Sequence, residues 1–157
     1  MSVDYIVSSL PLLSFSQPAP IGWERFAAIC GDSMGSVGEI VEGRWRDIET
    51  QLRNAAALSR GSERSCRAAK GCSVFWRNRV ASCFQEKDPM KRQTLLDRVW
   101  WDAAGELADP ASPLGLGALA AYAVRLRLAI GRSRISQEEG MAAVDSAAAG
   151  VTQEGAK

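Results

Sequence analysis

The sequence predicts an all-α fold, a compact multi-helix domain whose first residues fit either a short extended segment or a single helical turn. Three observations point that way. Apolar residues recur at intervals of three and four, as in Trp45, Ile48, Leu52, Ala55 and Ala56. Asp88-Pro89 marks a helix start, because Asp is a good N-cap and proline's missing N–H does no harm in the first turn. No strong β-hairpin signal appears between the apolar stretches.

The elements follow in chain order. Residues 4–10 carry β-branched and apolar side chains around Ser8 and Ser9, and Pro11, Pro18 and Pro20 then oppose a continuous helix. From Ile21 to Cys30 the residues Trp23, Phe26, Ala27 and Cys30 share one helical face, and Gly31, Gly35 and Gly38 predict a break after it. Residues 43–61 read as a helix in which Glu49 precedes Arg53 by four, with Gly61 as its stop. Residues 62–86 read as another helix, interrupted at Gly71 and striped by Val74, Phe75, Val80 and Phe84. The helix after Asp88 lines up Leu96, Val99, Trp100, Ala103 and Leu107 and closes at Asp109-Pro110. Residues 114–131 form an apolar helix through Leu119, Tyr122, Leu126 and Ile130. Ser136-Gln137-Glu138-Glu139 has the form of a capping box opening a last short helix through Met141, Val144 and Ala148. One helical domain over 1–149 and a disordered tail over 150–157 are expected.

Composition narrows the chemistry. With 19 basic and 18 acidic residues the net charge is +1, so no global field draws the chain to nucleic acid. Histidine is absent, which removes the commonest general base and metal ligand. Cys30, Cys66, Cys72 and Cys83 contain no C-x-x-C pair, so neither a zinc site nor a disulfide framework is expected; buried or half-buried free thiols in a reducing compartment are. The apolar opening has Asp4 where a signal peptide carries basic residues, and its serines and Pro11 break the run, so it reads as fold rather than address.

Local motifs give no reaction centre. GDSMGSVGEIVEG lacks the GK[ST] of a phosphate loop, and GLGALAAY has no preceding strand. Glu39, Glu42, Asp47 and Glu49 each have an arginine nearby, as on a solvated helix face. No catalytic residue, metal ligand or cofactor is assigned. The run Arg60, Arg64, Arg67, Lys70, Arg77 and Arg79 is opposed only by Glu63. Its first three arginines share a helical face, with Trp76 further along. A solvated basic face, a protein interface and a nucleic-acid site all fit that pattern. Of the five tryptophans, Trp23, Trp45 and Trp100 fall on apolar stripes as core, whereas Trp76 and Trp101 flank theirs, a position from which either can be exposed.

The order of these landmarks resembles a small bacterial family of unknown function whose genes accompany those of the V/A-type ATPase. That family is distantly similar to the helical C (d) subunit of the same machine. The resemblance rests on YIVSSLPLLSF with Pro18, Pro20 and WERFAAIC, and on IETQLRN with Glu49, Leu52, Arg53 and Asn54. It continues through DPMKRQTLLDRVWWDAAGEL with Asp97 and Trp101, then LAAYAVRLRL with Tyr122 and Leu126. Residues 60–87 match no motif, and Gly131-Arg132-Ser133 stands where a tryptophan is expected. The resemblance implies a non-catalytic connector or assembly factor of a cation-translocating ATPase. It would be cytoplasmic and peripheral to the membrane only through the complex, contacting stalk or rotor subunits and leaving ATP to them. The Arg60, Arg64, Arg67 and Trp76 face is the candidate docking surface. A helical nucleic-acid-binding module using Arg60–Arg79 is the alternative.

Overall fold

The computed structural model describes residues 1–154, apart from the side chains of residues 136–139, 143 and 150–154. The fold is all-α, and the described residues contain no strand, only an isolated bridge between Asp109 and Ser112. The helices are α1 (Val3–Ser9), α2 (Trp23–Cys30), α3 (Ser33–Ile40), α4 (Arg46–Ser59), α5 (Val74–Cys83), α6 (Pro89–Ala104) and α7 (Leu116–Glu154). No helix among the described residues is long and apolar enough to cross a membrane.

The first half of α7 is the central post. Leu119, Ala120, Ala123 and Leu126 are buried in it, and α1, α2, α3 and α6 pack around them. Ile6, Phe26, Val37, Leu52, Val80 and Leu96 bring one side chain from each surrounding helix to the same cluster. Burying a side chain of that size stabilises by about 1.5–3 kcal/mol before entropy is set against it. The opening residues are therefore folded as helix, with Ile6 at 2% exposure, and the extended option for them is not taken.

Several boundaries differ from the sequence reading, each for a local reason. The glycines at 35 and 38 do not break the chain, because Val37 is buried and Met34 and Ile40 pack on the core; that packing offsets the roughly 1 kcal/mol helix cost of each glycine. A π turn at Val41–Trp45 joins α3 directly to α4, and Arg44 in it donates to the Glu106 and Leu107 carbonyls at the end of α6. Helix α4 ends as foreseen: Gly61 has φ +73°, and the N–H groups of Gly61 and Ser62 bond to the carbonyls of Leu58 and Ala57 in a Schellman closure.

Residues 62–73 are not helical beyond a single 3-10 turn at Glu63–Ser65, so Arg60, Arg64 and Arg67 do not share a helix face. This stretch has no apolar stripe to bury, and its backbone is bonded to side chains of α4 instead. The Asp88 cap stands as expected, accepting from Met90 N–H at 2.9 Å. Beyond Ile130, α7 continues without a break through Gly131 and Gly140, so the separate last helix is absent. The capping contacts expected of Ser136 and Glu139 lie outside the described residues, as does the end of the expected tail, residues 155–157.

Candidate functional site

Two adjoining hollows make one groove along α4. The larger, about 750 Å³, lies between α4 and α6; the smaller, about 380 Å³, lies between α3 and α7. Arg46, Glu49 and Leu128 line both. The floor is apolar, with Leu96 buried and Trp100 and Leu128 half-buried. The rim is cationic: Arg46 and Arg53 stand about two turns apart on α4, Arg60 caps its end about two turns further on, and Arg67 joins them from the following loop.

A row of polar side chains on α4 positions that loop. Asn54 pairs with both backbone groups of Arg67, Asp47 accepts from Lys70 N–H at 2.6 Å, and Gln51 accepts from Ser73 N–H at 2.9 Å. Asp47 also accepts from Gln51 Nε2 at 3.0 Å, so the row is internally braced. Residues 47, 51 and 54 follow helical spacing on one face, and this signal was present in the sequence.

Charge balance on the rim is uneven. Arg53 pairs with Glu49 at 2.9 Å and Arg46 with Glu42 at 3.3 Å, both at i,i+4 as the sequence suggested, with both arginines exposed. Arg60 lies over the Phe84 ring at 5.4 Å, and its guanidinium, like that of Arg67, meets no carboxylate among the described residues. Asp97 sits at the far wall. Burial raises its carboxyl above the usual range, against the Gln93 hydrogen bond and the nearby Arg132 charge.

The other residues singled out from sequence lie elsewhere. Trp76 is buried at 6% and donates its ring N–H to Glu106, so the aromatic exposed at this end of α5 is Phe75, at 61%. Arg79, the last of the basic run, is bound to Asp102 at 2.9 Å. Arg64 stands exposed in the 3-10 turn, away from the groove lining. Trp101 is buried rather than exposed, while Trp100 and Trp23 are half-buried. Leu52 is fully buried as a core residue. Cys30 and Cys83 are buried, and burial raises both thiols; Cys66 and Cys72 are exposed, contrary to expectation, and all four are unpaired.

Asp97, Trp101 and Tyr122 converge on the segment between α1 and α2. Tyr122 Oη donates to the Pro11 carbonyl at 2.9 Å, and the Phe15 ring meets the edge of Trp101 at 5.7 Å. Arg132 lies over that ring at 3.9 Å, donates to the Phe15 carbonyl and faces Asp97 at 3.7 Å. These three motif residues thus act as fasteners for residues 11–15. Phe15 and Arg132 are too far apart in sequence for any local pattern to link them.

The motif set therefore divides into a groove group (Glu49, Arg53, Asn54) and a fold-holding group (Leu52, Trp101, Tyr122), with Asp97 belonging to both. Comparison with protein-family models, curated proteins and solved structures finds no match to this chain.

Proposed function

We propose that the chain is a non-catalytic helical connector, a component or assembly factor of a V/A-type proton- or sodium-translocating ATPase. The groove along α4 carries the connector part of this reading. A hydrophobic floor rimmed by arginines is the surface expected of a protein-docking site, where aromatic and arginine side chains dominate binding energy. The ATPase part is supported by the order of sequence motifs from Tyr5 to Val144. In this role ATP and the transported ion are handled by partner subunits. The chain works on the cytoplasmic side, held near the membrane through the complex alone.

The nucleic-acid alternative has less to support it. Its basic run is divided, since Arg79 is held by Asp102 and Trp76 is turned into the core. Phosphate binding needs several free cations on one surface. The test is to purify the tagged chain from its native cell at low and high salt and identify what accompanies it. Stalk or rotor subunits at both salt concentrations support the reading. Nucleic acid released by salt, with no ATPase subunit, overturns it.

A further inference from the structure

We infer that the α4 groove receives an amphipathic helix of a partner protein, seated with its apolar face on Trp100 and Leu128 and its acidic face against Arg53, Arg60 and Arg67. This names the occupant of the connector surface proposed above, and it rests on that reading.

Shape comes first. The two hollows share Arg46, Glu49 and Leu128 as lining, and the larger follows α4 from Arg46 to Arg60 at its end. Two turns of a helix, about 10 Å across and about 11 Å long, occupy a volume of the same order as the larger hollow. A helix laid in a groove anchors through apolar residues at i, i+3, i+4 and i+7, and the floor offers receiving surfaces at that spacing. Leu96 and Trp100 are one turn apart on α6, while Val124 and Leu128 are one turn apart on α7.

Charge selects among helices. Arg60 and Arg67 lack carboxylate partners among the described residues, and the Arg46–Glu42 pair is solvent-exposed on both sides, so it exchanges partners at little cost; Arg53 is itself exposed, while its partner Glu49 is 29% exposed. An acidic face satisfies all four. Nucleic acid fits less well: a polyphosphate backbone gains nothing from the Leu96–Trp100–Leu128 floor. The Asn54 clasp also gains a purpose here, since it sets the loop backbone at Arg67 and so brings the fourth cation to the rim.

The test is photo-crosslinking in the native cell with the full chain. A p-benzoylphenylalanine is placed at exposed Gln93 on the groove wall, and in a control at exposed Asn78 on α5. The adducts are mapped by peptide sequencing. The expected adduct at 93 is one segment with apolar residues at helical spacing and Asp or Glu flanking that apolar face. The combined Arg60→Glu and Arg67→Glu changes lower its yield by about tenfold or more, as for loss of steering and pairing by interfacial charges. Circular dichroism checks that this variant stays folded; should it not, Arg67→Glu alone, at a side chain without an ion pair, serves in its place. A basic or non-helical segment, a nucleic-acid adduct, a yield indifferent to charge reversal, or no adduct at 93 each overturns the inference. An acidic helix from a protein outside the ATPase keeps the groove assignment and overturns the ATPase reading. ATPase subunits crosslinked only at 78 do the reverse.

Discussion

The side-chain amide of Asn54 pairs with both backbone groups of Arg67, its Nδ2 donating to the carbonyl at 2.7 Å and its Oδ1 accepting from the N–H at 2.8 Å. An amide is the one side chain that can donate and accept in this geometry, so it mimics a backbone partner for Arg67. Each such bond nets about 1 kcal/mol. Asn54→Ala should therefore cost about 1–2 kcal/mol in urea unfolding. It should also speed tryptic cleavage after Arg64 and Arg67, which the clasp holds against α4. Asn54→Asp, which keeps the acceptor and loses the donor, should fall between. Unchanged proteolysis in Asn54→Ala would show that Asp47 and Gln51 hold the loop by themselves.

Tyr122 sets a limit at high pH. Burial, with a smaller effect from Cys30 nearby, pushes its phenol from the ordinary value of 10.0 up to about 12. Below pH 10 the group is protonated in both folded and unfolded chains and contributes nothing to pH dependence. Between 10 and 12 only the unfolded chain ionises, so stability falls with rising pH across that window. Tyr122→Phe removes this contribution and should flatten the alkaline limb of a stability-against-pH curve. At pH 7 it should still lower stability by about 1 kcal/mol through loss of the bond to the Pro11 carbonyl. A parallel alkaline limb in both proteins would place the fall in other groups.

How much was legible in the sequence varies with how local the cause is. Helix α6 was readable because its start is chemical, Asp88 and Pro89, and its stripe is long. Helix α4 was readable for the same reasons, with Gly61 closing it. Helix α3 was missed because its glycines argue locally against a helix, and only Val37 packing on α7 overrides them. Residues 62–73 were read as helix because Arg, Ala and Glu favour one, yet nothing apolar there pays for ordering. The phase of α5 was also misjudged. Val74, Phe75 and Val80 make a plausible stripe, but Trp76, Val80 and Cys83 make another at i, i+4 and i+7, and that one is buried. Of the groove, the sequence offered Glu49, Arg53, Asn54, Arg60, Arg67 and Asp97 as separate marks. It did not offer Trp100 as the floor, because which side of α6 faces a hollow depends on α4 and α7.

Trp76 separates a structural role from a docking role. It is buried in the core, meets the exposed Phe75 ring edge to face with centroids 4.8 Å apart and gives its N–H to the Glu106 carboxylate. Trp76→Ala should cost about 3–5 kcal/mol, the usual range for emptying a buried aromatic site. Trp76→Phe refills much of the volume but strands no buried acceptor, since Glu106 is exposed, and should cost less than half as much. Partner capture by the folded Trp76→Phe variant should match the wild type. A loss of capture at unchanged stability would instead return Trp76 to the docking surface.

Two glycines should respond in opposite directions to the same substitution. At Gly35, on the exposed face of α3, an added Cβ meets nothing within 4 Å, and the backbone is already helical. Gly35→Ala therefore restricts the unfolded chain and adds helix propensity, raising stability by about 0.5–1 kcal/mol. At Gly117, in the first turn of α7, the added Cβ would overlap the Leu107 carbonyl oxygen and press on Ala108. Those are backbone atoms at the end of the 3-10 turn that follows α6, with Leu107 fully buried, so they cannot swing aside. Gly117→Ala should force α7 away from α6 and cost about 1–3 kcal/mol, the range for overpacking. Thermal unfolding of the two variants measures both signs at once. If Gly117→Ala were neutral, the close approach of α7 to the Leu107 turn would not be a constraint on the fold. The central post would then be free to tilt at its N-terminal end.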